Sequence, residues 1–270
     1  MTLVVSEISD LGIVMVGDSA VTKIMRDGTK VPGPDAVKVQ YSRRARVGFA
    51  LWGNATVPTT PGPTRMDRWL ASFMKRSVRK GQRLEEIGDL ICRELNPLLE
   101  GMGRSWNSLN RGIHLAAYEN GMPRLCHVHC GRFKPEDTAH ELRFHPDSDN
   151  EREKWRIKKP LTPFPPYHFR NGMYSLFAYL SESIDKYANA IMTDPNLRIR
   201  FPRNTLESRL QYHKLLVTFI AGVLSVSGER PSVNSRLSAI AFDQNGIRVD
   251  QRRRISPTAV PRGSVFEIEY

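Results

Sequence analysis

Thr2-Leu3-Val4-Val5-Ser6-Glu7-Ile8-Ser9-Asp10-Leu11-Gly12-Ile13-Val14-Met15-Val16-Gly17-Asp18-Ser19 opens the chain after its first methionine and decides the fold class. Two apolar runs rich in β-branched residues, 2–8 and 13–16, flank the turn residues Asp10, Leu11 and Gly12. Such runs read as the strands of a hairpin. Both strands are apolar nearly throughout, so both are expected to be largely buried, which requires other elements to cover them. Gly17-Asp18-Ser19 then breaks the pattern.

Working outward, a loop rich in Gly and Pro occupies 27–35. Residues 36–41 and 46–52 read as a second strand pair around a basic turn. A Pro/Thr loop at 58–63 stops the sheet. Thr64 is the expected cap of a helix starting near Arg65, with Met66, Trp69, Leu70, Phe73 and Met74 at helical spacing. After Gly81, the residues Leu84, Ile87, Leu90, Ile91, Leu95 and Leu98 mark one face of a second helix. Residues 113–118 and 124–130 form a hairpin about Asn120-Gly121, a favoured two-residue turn. The polar, proline-rich segment 134–166 reads as an insertion or a mobile edge, with short strands near Leu142 and Trp155. Helices are expected over 171–192 and 205–226, and a closing hairpin over 236–249.

Hairpins must bury their faces, and paired helices can cover them. The economical solution is two antiparallel sheets face to face with a helix layer on each outside. The expected fold is therefore α+β, a four-layer α-β-β-α sandwich, as a single domain over 1–270 with the polar insertion at 134–166.

Of the 270 residues, 40% are hydrophobic, enough for a substantial core, yet no run of about 18 apolar residues marks a membrane span. The N-terminus lacks the pattern of a secretory signal. Three cysteines cannot all pair, which fits a reducing compartment. The expectation is a cytoplasmic protein with no membrane partner. A net charge of +12 raises nucleic acid as a partner, with clusters at Arg43, Arg44, Arg46 and at Arg252, Arg253, Arg254. No zinc-finger spacing, recognition-helix signature or RNP-like motif accompanies that charge, so solvated basic loops are the preferred account. Cys126-His127-Val128-His129-Cys130 has the composition of a metal cluster. On a strand its cysteines face one side and its histidines the other, so the four cannot converge on one tetrahedral zinc. No metal and no other cofactor is expected.

The run Gly12-Ile13-Val14-Met15-Val16-Gly17-Asp18-Ser19-Ala20-Val21-Thr22, behind a strand that starts at Thr2, resembles the opening of proteasome β-type subunits and their bacterial relatives, members of the N-terminal-nucleophile hydrolase superfamily. The specific match covers about the first 55 residues; the order of elements matches over nearly the whole chain. The resemblance implies that Thr2, exposed by removal of Met1 without a propeptide, is the nucleophile. A hydroxyl needs a base within reach, and a free α-amine, with a pKa near 8, supplies one on the same residue. By the same resemblance Asp18 holds the catalytic lysine, Lys38 is that lysine with Lys30 as its rival, and the Gly53 N–H binds the oxyanion. The family's helper serine has no clear counterpart. Ser175 comes late, and Ser227-Gly228-Glu229 and Ser232-Val233-Asn234-Ser235 are loose substitutes.

The resulting expectation is a threonine-type amide hydrolase, a proteasome-like peptidase acting on peptide or protein substrates through an acyl-enzyme at Thr2. The family further implies ring-type homo-oligomers, with any ATPase partner unspecified. Two rivals stand beside it: a non-catalytic scaffold or assembly subunit of the same fold, and a basic nucleic-acid-binding protein built on it.

Overall fold

The first hairpin forms as its sequence dictates. In the computed structural model, which describes residues 3–24, 27, 29–53, 56–59, 62–100, 111–130, 142–159, 165–172, 174–193, 205–226 and 233–250, β1 (Leu3–Ser9) pairs antiparallel with β2 (Gly12–Asp18), Ile8 opposite Ile13. Every residue of both strands is buried. Two short strands follow, β3 (Thr22–Ile24) and β4 (Lys30–Pro32), then β5 (Val39–Ser42), β6 (Val47–Gly53), β7 (Thr56–Val57) and β8 (Thr64–Arg65). Helices α1 (Met66–Ser77) and α2 (Leu84–Glu100) precede the hairpin of β9 (Arg111–Glu119) and β10 (Met122–Cys130). The chain continues through β11 (Arg143–His145), α3 (Asp147–Lys158), β12 (Tyr167–Gly172), α4 (Tyr174–Thr193), α5 (Leu206–Val226), β13 (Leu237–Asp243) and β14 (Gly246–Asp250).

These make a mixed α/β architecture with two five-stranded antiparallel sheets, ordered β12-β1-β2-β13-β14 and β11-β10-β9-β6-β5. Three apolar cores hold them. One draws Val4, Ile13 and Met15 from the first sheet and Val39, Ala50 and Leu125 from the second. A second joins Phe49, Ile113 and Val128 to Trp69, Phe73, Ile87 and Ile91 of α1 and α2. The third joins Val5, Val14 and Ala239 to Phe177 of α4 and Leu210, Val217 and Ile220 of α5. Each buried Val, Leu, Ile, Met or Phe among them stabilises the fold by about 1.5–3 kcal/mol. The sheets approach closely at Gly48, where a Cβ would lie 2.6 Å from Met15 Sδ. The β9–β10 turn uses Asn120 at φ 52° and Gly121 at φ 75°, as a two-residue turn with both φ positive demands.

Four expectations are corrected. Thr64 does not cap α1: the cap position is Arg65, with no side-chain hydrogen bond, and the Thr64 hydroxyl meets Thr59 at 2.7 Å instead. The loop at 27–35 contributes β4, which pairs with β3. Trp155 lies in a helix, α3, whose Asp147 and Asp149 at one end and Arg156 and Lys158 at the other complement the helix dipole. Asn171 and Gly172 belong to β12, so α4 starts three residues later than expected; pairing along β1, with Leu3 opposite Gly172, claims them for the sheet. No helix of the described residues is long and apolar enough to cross a membrane.

Candidate functional site

The end of β2 and the start of β5 meet across the two sheets. Asp18, the last residue of β2, is completely buried. Lys38, one residue before β5, is 5% exposed, and its Nζ donates to Asp18 Oδ1 at 2.9 Å. The Leu3 N–H donates to the same oxygen at 2.8 Å, and the Ala20 N–H donates to Oδ2 at 2.9 Å. Gly17 makes this approach feasible: a Cβ there would sit 3.1 Å from Val4 Cγ1 and 3.3 Å from Lys38 Cβ. Burial raises the Asp18 carboxyl above its ordinary value, against the pull of Lys38 and of the two backbone N–H groups. Burial likewise lowers the Lys38 ammonium, against the pull of Asp18.

The segment before Lys38 is fixed on several sides. Ala36 N–H donates to Ser19 O at 2.9 Å, and Val37 N–H to Asp67 Oδ2 at 3.0 Å. Ser19 donates through both N–H and hydroxyl to Asn234 Oδ1, each at 3.1 Å, and Asn234 Nδ2 reaches Asp35 Oδ1 at 3.1 Å. On the other side, Leu51 N–H donates to Lys38 O at 2.8 Å, prolonging the β5–β6 ladder by one step.

Asp18 and Lys38 are thus brought together. Lys30, the rival lysine, lies in β4 opposite Ile24. Gly53 ends β6, two residues beyond Leu51, exposed and at φ 83°. Thr2 lies outside the described residues, and its neighbour Leu3 is the residue whose amide binds Asp18. Ser175 is exposed in the first turn of α4; Ser227, Gly228, Glu229 and Ser232 lie outside the described residues. The Arg43–Arg46 turn joins β5 to β6, with Arg43, Arg44 and Arg46 exposed, while 252–254 lie outside the described residues.

Three polar groupings bring together residues that the sequence reading had not joined. Ser6 Oγ meets His114 Nδ1 at 2.8 Å, and His114 Nε2 meets Asn171 Oδ1 at 2.5 Å, tying β1, β9 and β12 together. Burial lowers His114 to about 3, so the ring stays neutral. Glu7, completely buried, takes His168 Nε2 and His213 Nε2 at 2.6 Å each and Arg209 Nε at 2.8 Å. Burial pushes its carboxyl up, but the hydrogen bonds from His168, His213 and Arg209 outweigh that and hold it far below the usual range. The Arg209 guanidinium engages both Glu7 oxygens, which makes this an ion-pair network unfavourable to a cation. The third grouping is His127, His129 and His145, one ring nitrogen of each within 4.8 Å of the others.

No protein-family model matches the chain, and no curated protein matches it. Solved structures similar to it include the Anbu (Gly-1) mutant from Hyphomicrobium sp. strain MC1, at 13% identity over 93% of this chain and 86% of that one, TM-score 0.46. Anbu (ancestral beta-subunit) from Yersinia bercovieri is similar at 13% identity over 89% and 81%, TM-score 0.45. Eukaryotic HslV from Trypanosoma brucei is similar at 11% identity over 89% and 99%, TM-score 0.39. Likenesses this distant leave the site to be judged on its own geometry. That geometry is the buried Lys38 ammonium sharing Asp18 Oδ1 with the N–H of Leu3.

Proposed function

We propose that the chain is an N-terminal-threonine amide hydrolase, a proteasome-like peptidase whose nucleophile is Thr2. The observation that carries this reading is the buried Asp18–Lys38 pair, with the Leu3 N–H on the same Asp18 oxygen. Backbone continuity then leaves Thr2 one residue from the pair. Thr2 Oγ attacks the scissile carbonyl and its proton passes to the α-amine, whose basic form the neighbouring Lys38 charge favours. The oxyanion is bound by the Gly53 N–H. Collapse expels the leaving amine, which takes the proton, and water then hydrolyses the Thr2 ester to release the acid and restore the hydroxyl.

The three cores and the pair of antiparallel sheets support a four-layer α-β-β-α sandwich, one domain over 1–270 with 134–166 as its insertion. A ring-type homo-oligomer belongs to the same proposal. It is supported by an exposed stripe on α5, where Leu215 is 59%, Phe219 49% and Val223 37% exposed at a spacing of four residues. A cytoplasmic setting and a peptide or protein substrate complete it.

Intact mass spectrometry before and after an epoxyketone or β-lactone probe tests the chemistry. The expected result is a chain lacking Met1 that takes one adduct, mapped to Thr2 and absent in Thr2→Ala. A chain that retains Met1, or a trimmed chain that takes no adduct, refutes the enzyme and favours the scaffold subunit.

A further inference from the structure

The alternation that rules out a four-ligand Cys/His centre in residues 126–130 has a second consequence. Cys126 packs into the core under α1 and α2, whereas His127 and His129 share the opposite face of β10. The β10–β11 register sets His145 directly opposite His127, on that same face. The three rings gather: His127 and His129 lie 4.3 Å apart at 7°, and His145 lies 4.7 Å from each. Phe169 of β12 closes over His127 at 4.4 Å. His127 and His129 are 3% and 5% exposed, while His145 is half-buried at the edge strand.

An aromatic stack that only filled space would be better served by phenylalanine, which buries no polar atom. His127 Nε2 is instead buried and finds no hydrogen bond among the described residues. Its other nitrogen, Nδ1, is bonded to the Asp147 carboxylate at the start of α3. A carboxylate on one imidazole nitrogen, fixing the tautomer and leaving the other nitrogen bare, is the usual support of a metal-ligating histidine.

We infer that His127, His129 and His145 form a binding site for a Zn²⁺-class transition-metal ion, with Asp147 as the orienting carboxylate. Imidazole ligands suit zinc, cobalt, nickel and copper, while magnesium and calcium demand oxygen. Zinc–nitrogen bonds of about 2.0–2.1 Å in a tetrahedron put ligand nitrogens about 3.3 Å apart. The present spacing, within 4.8 Å, closes to that value when the stacked rings fan apart. The ion would clamp β11, and α3 through Asp147, onto β10. It would thereby fix the described part of the polar segment 134–166 to the sheet. The inference does not depend on Thr2 chemistry.

The test uses the full chain free of any polyhistidine tag, stripped with chelator and equilibrated with zinc or magnesium chloride, with metal counted by mass spectrometry and affinity measured by competition with a chromophoric chelator. One zinc per chain and no magnesium is expected, with a melting temperature that rises with zinc concentration. His145→Gln, at the edge where refolding of the core is least needed, is expected to abolish stoichiometric zinc. Asp147→Asn is expected to weaken zinc by about 10–100-fold. Both should melt like the wild type in chelator. Absence of stoichiometric zinc in the wild type overturns the inference even if a variant fails to fold. Equal zinc binding by wild type and both folded variants overturns it too, because the ion is then held elsewhere.

Discussion

Replacing Lys38 with methionine removes the ammonium but keeps most of the side chain's length, and it leaves Asp18 buried with, among the described residues, the Leu3 and Ala20 N–H groups as donors. Both partners are almost entirely shielded from water, at 6% and 0% side-chain exposure, so the surface discount for ion pairs does not apply. Breaking a buried pair by removing one partner costs about 3–5 kcal/mol, since the remaining charge is uncompensated. For a chain of this size that corresponds to a fall in melting temperature of about 6–20 °C. The deficit must also depend on pH. Burial already raises the Asp18 carboxyl, and loss of Lys38 raises it further. A folded carboxyl above its unfolded value binds its proton more tightly than the unfolded chain does. Its favourable contribution is therefore complete below the unfolded value near 3.9 and is lost as pH rises through the folded value. Lys38→Met should accordingly be weakest near neutrality and recover on acidification. Urea unfolding followed by the fluorescence of the buried Trp52 and Trp69, run between about pH 5 and pH 7.5, measures both effects. A cost below about 1 kcal/mol at neutral pH, or a cost unchanged by acidification, would refute the account of the pair.

Two further outcomes are expected. Glu7→Gln should cost about 3 kcal/mol in urea unfolding at neutral pH, the low end for a broken buried pair because the Arg209 side chain is 25% exposed. The Glu7 carboxyl is held below its unfolded value, so its contribution is present above about pH 4.5 and is lost on acidification; the gap between variant and wild type should narrow there, and a constant gap would count against the network. If α5 forms the self-association face, the wild type should sediment as a multiple of 30.7 kDa. Phe219→Glu should then weaken assembly about 10–150-fold through the loss of about 1.5–3 kcal/mol of apolar burial, and a monomeric wild type would dismiss that face.

Much of the fold was legible because its signals are local. The β-branched runs of β1 and β2, the Asn120-Gly121 turn, and the apolar faces of α1 and α2 each announce an element within ten or so residues. The elements that escaped have no local apolar signal. Residues 167–172, Tyr-His-Phe-Arg-Asn-Gly, lack an apolar run, and they become β12 only because β1 offers an open edge. Helix α3 has no apolar stripe; only its charge order, acidic first and basic last, marks it. The missed polar sites share this non-local cause. Glu7 sits inside an apolar run, and its partners His168, Arg209 and His213 come from β12 and α5. His145 meets His127 by strand register alone, although a His-x-His strand followed by His-x-Asp was a signal available to be weighed.

Asp18 and Lys38, by contrast, were reached through a motif, and under the proposed function one aspartate would serve both fold and chemistry. Its Oδ1 anchors the start of β1 through Leu3, while the same atom holds the ammonium that belongs to the opposite sheet. A substitution that frees Lys38 therefore also frees the strand that begins beside Thr2. Loss of a probe adduct in an Asp18 variant would not by itself distinguish lost chemistry from a displaced nucleophile. Lys38→Met retains both backbone contacts to Asp18, so it separates the two more cleanly. If that variant, held at a mildly acidic pH where it is folded and where the wild type still takes the adduct, carries an ordered β1 but takes no adduct at Thr2, the missing element is the cation itself.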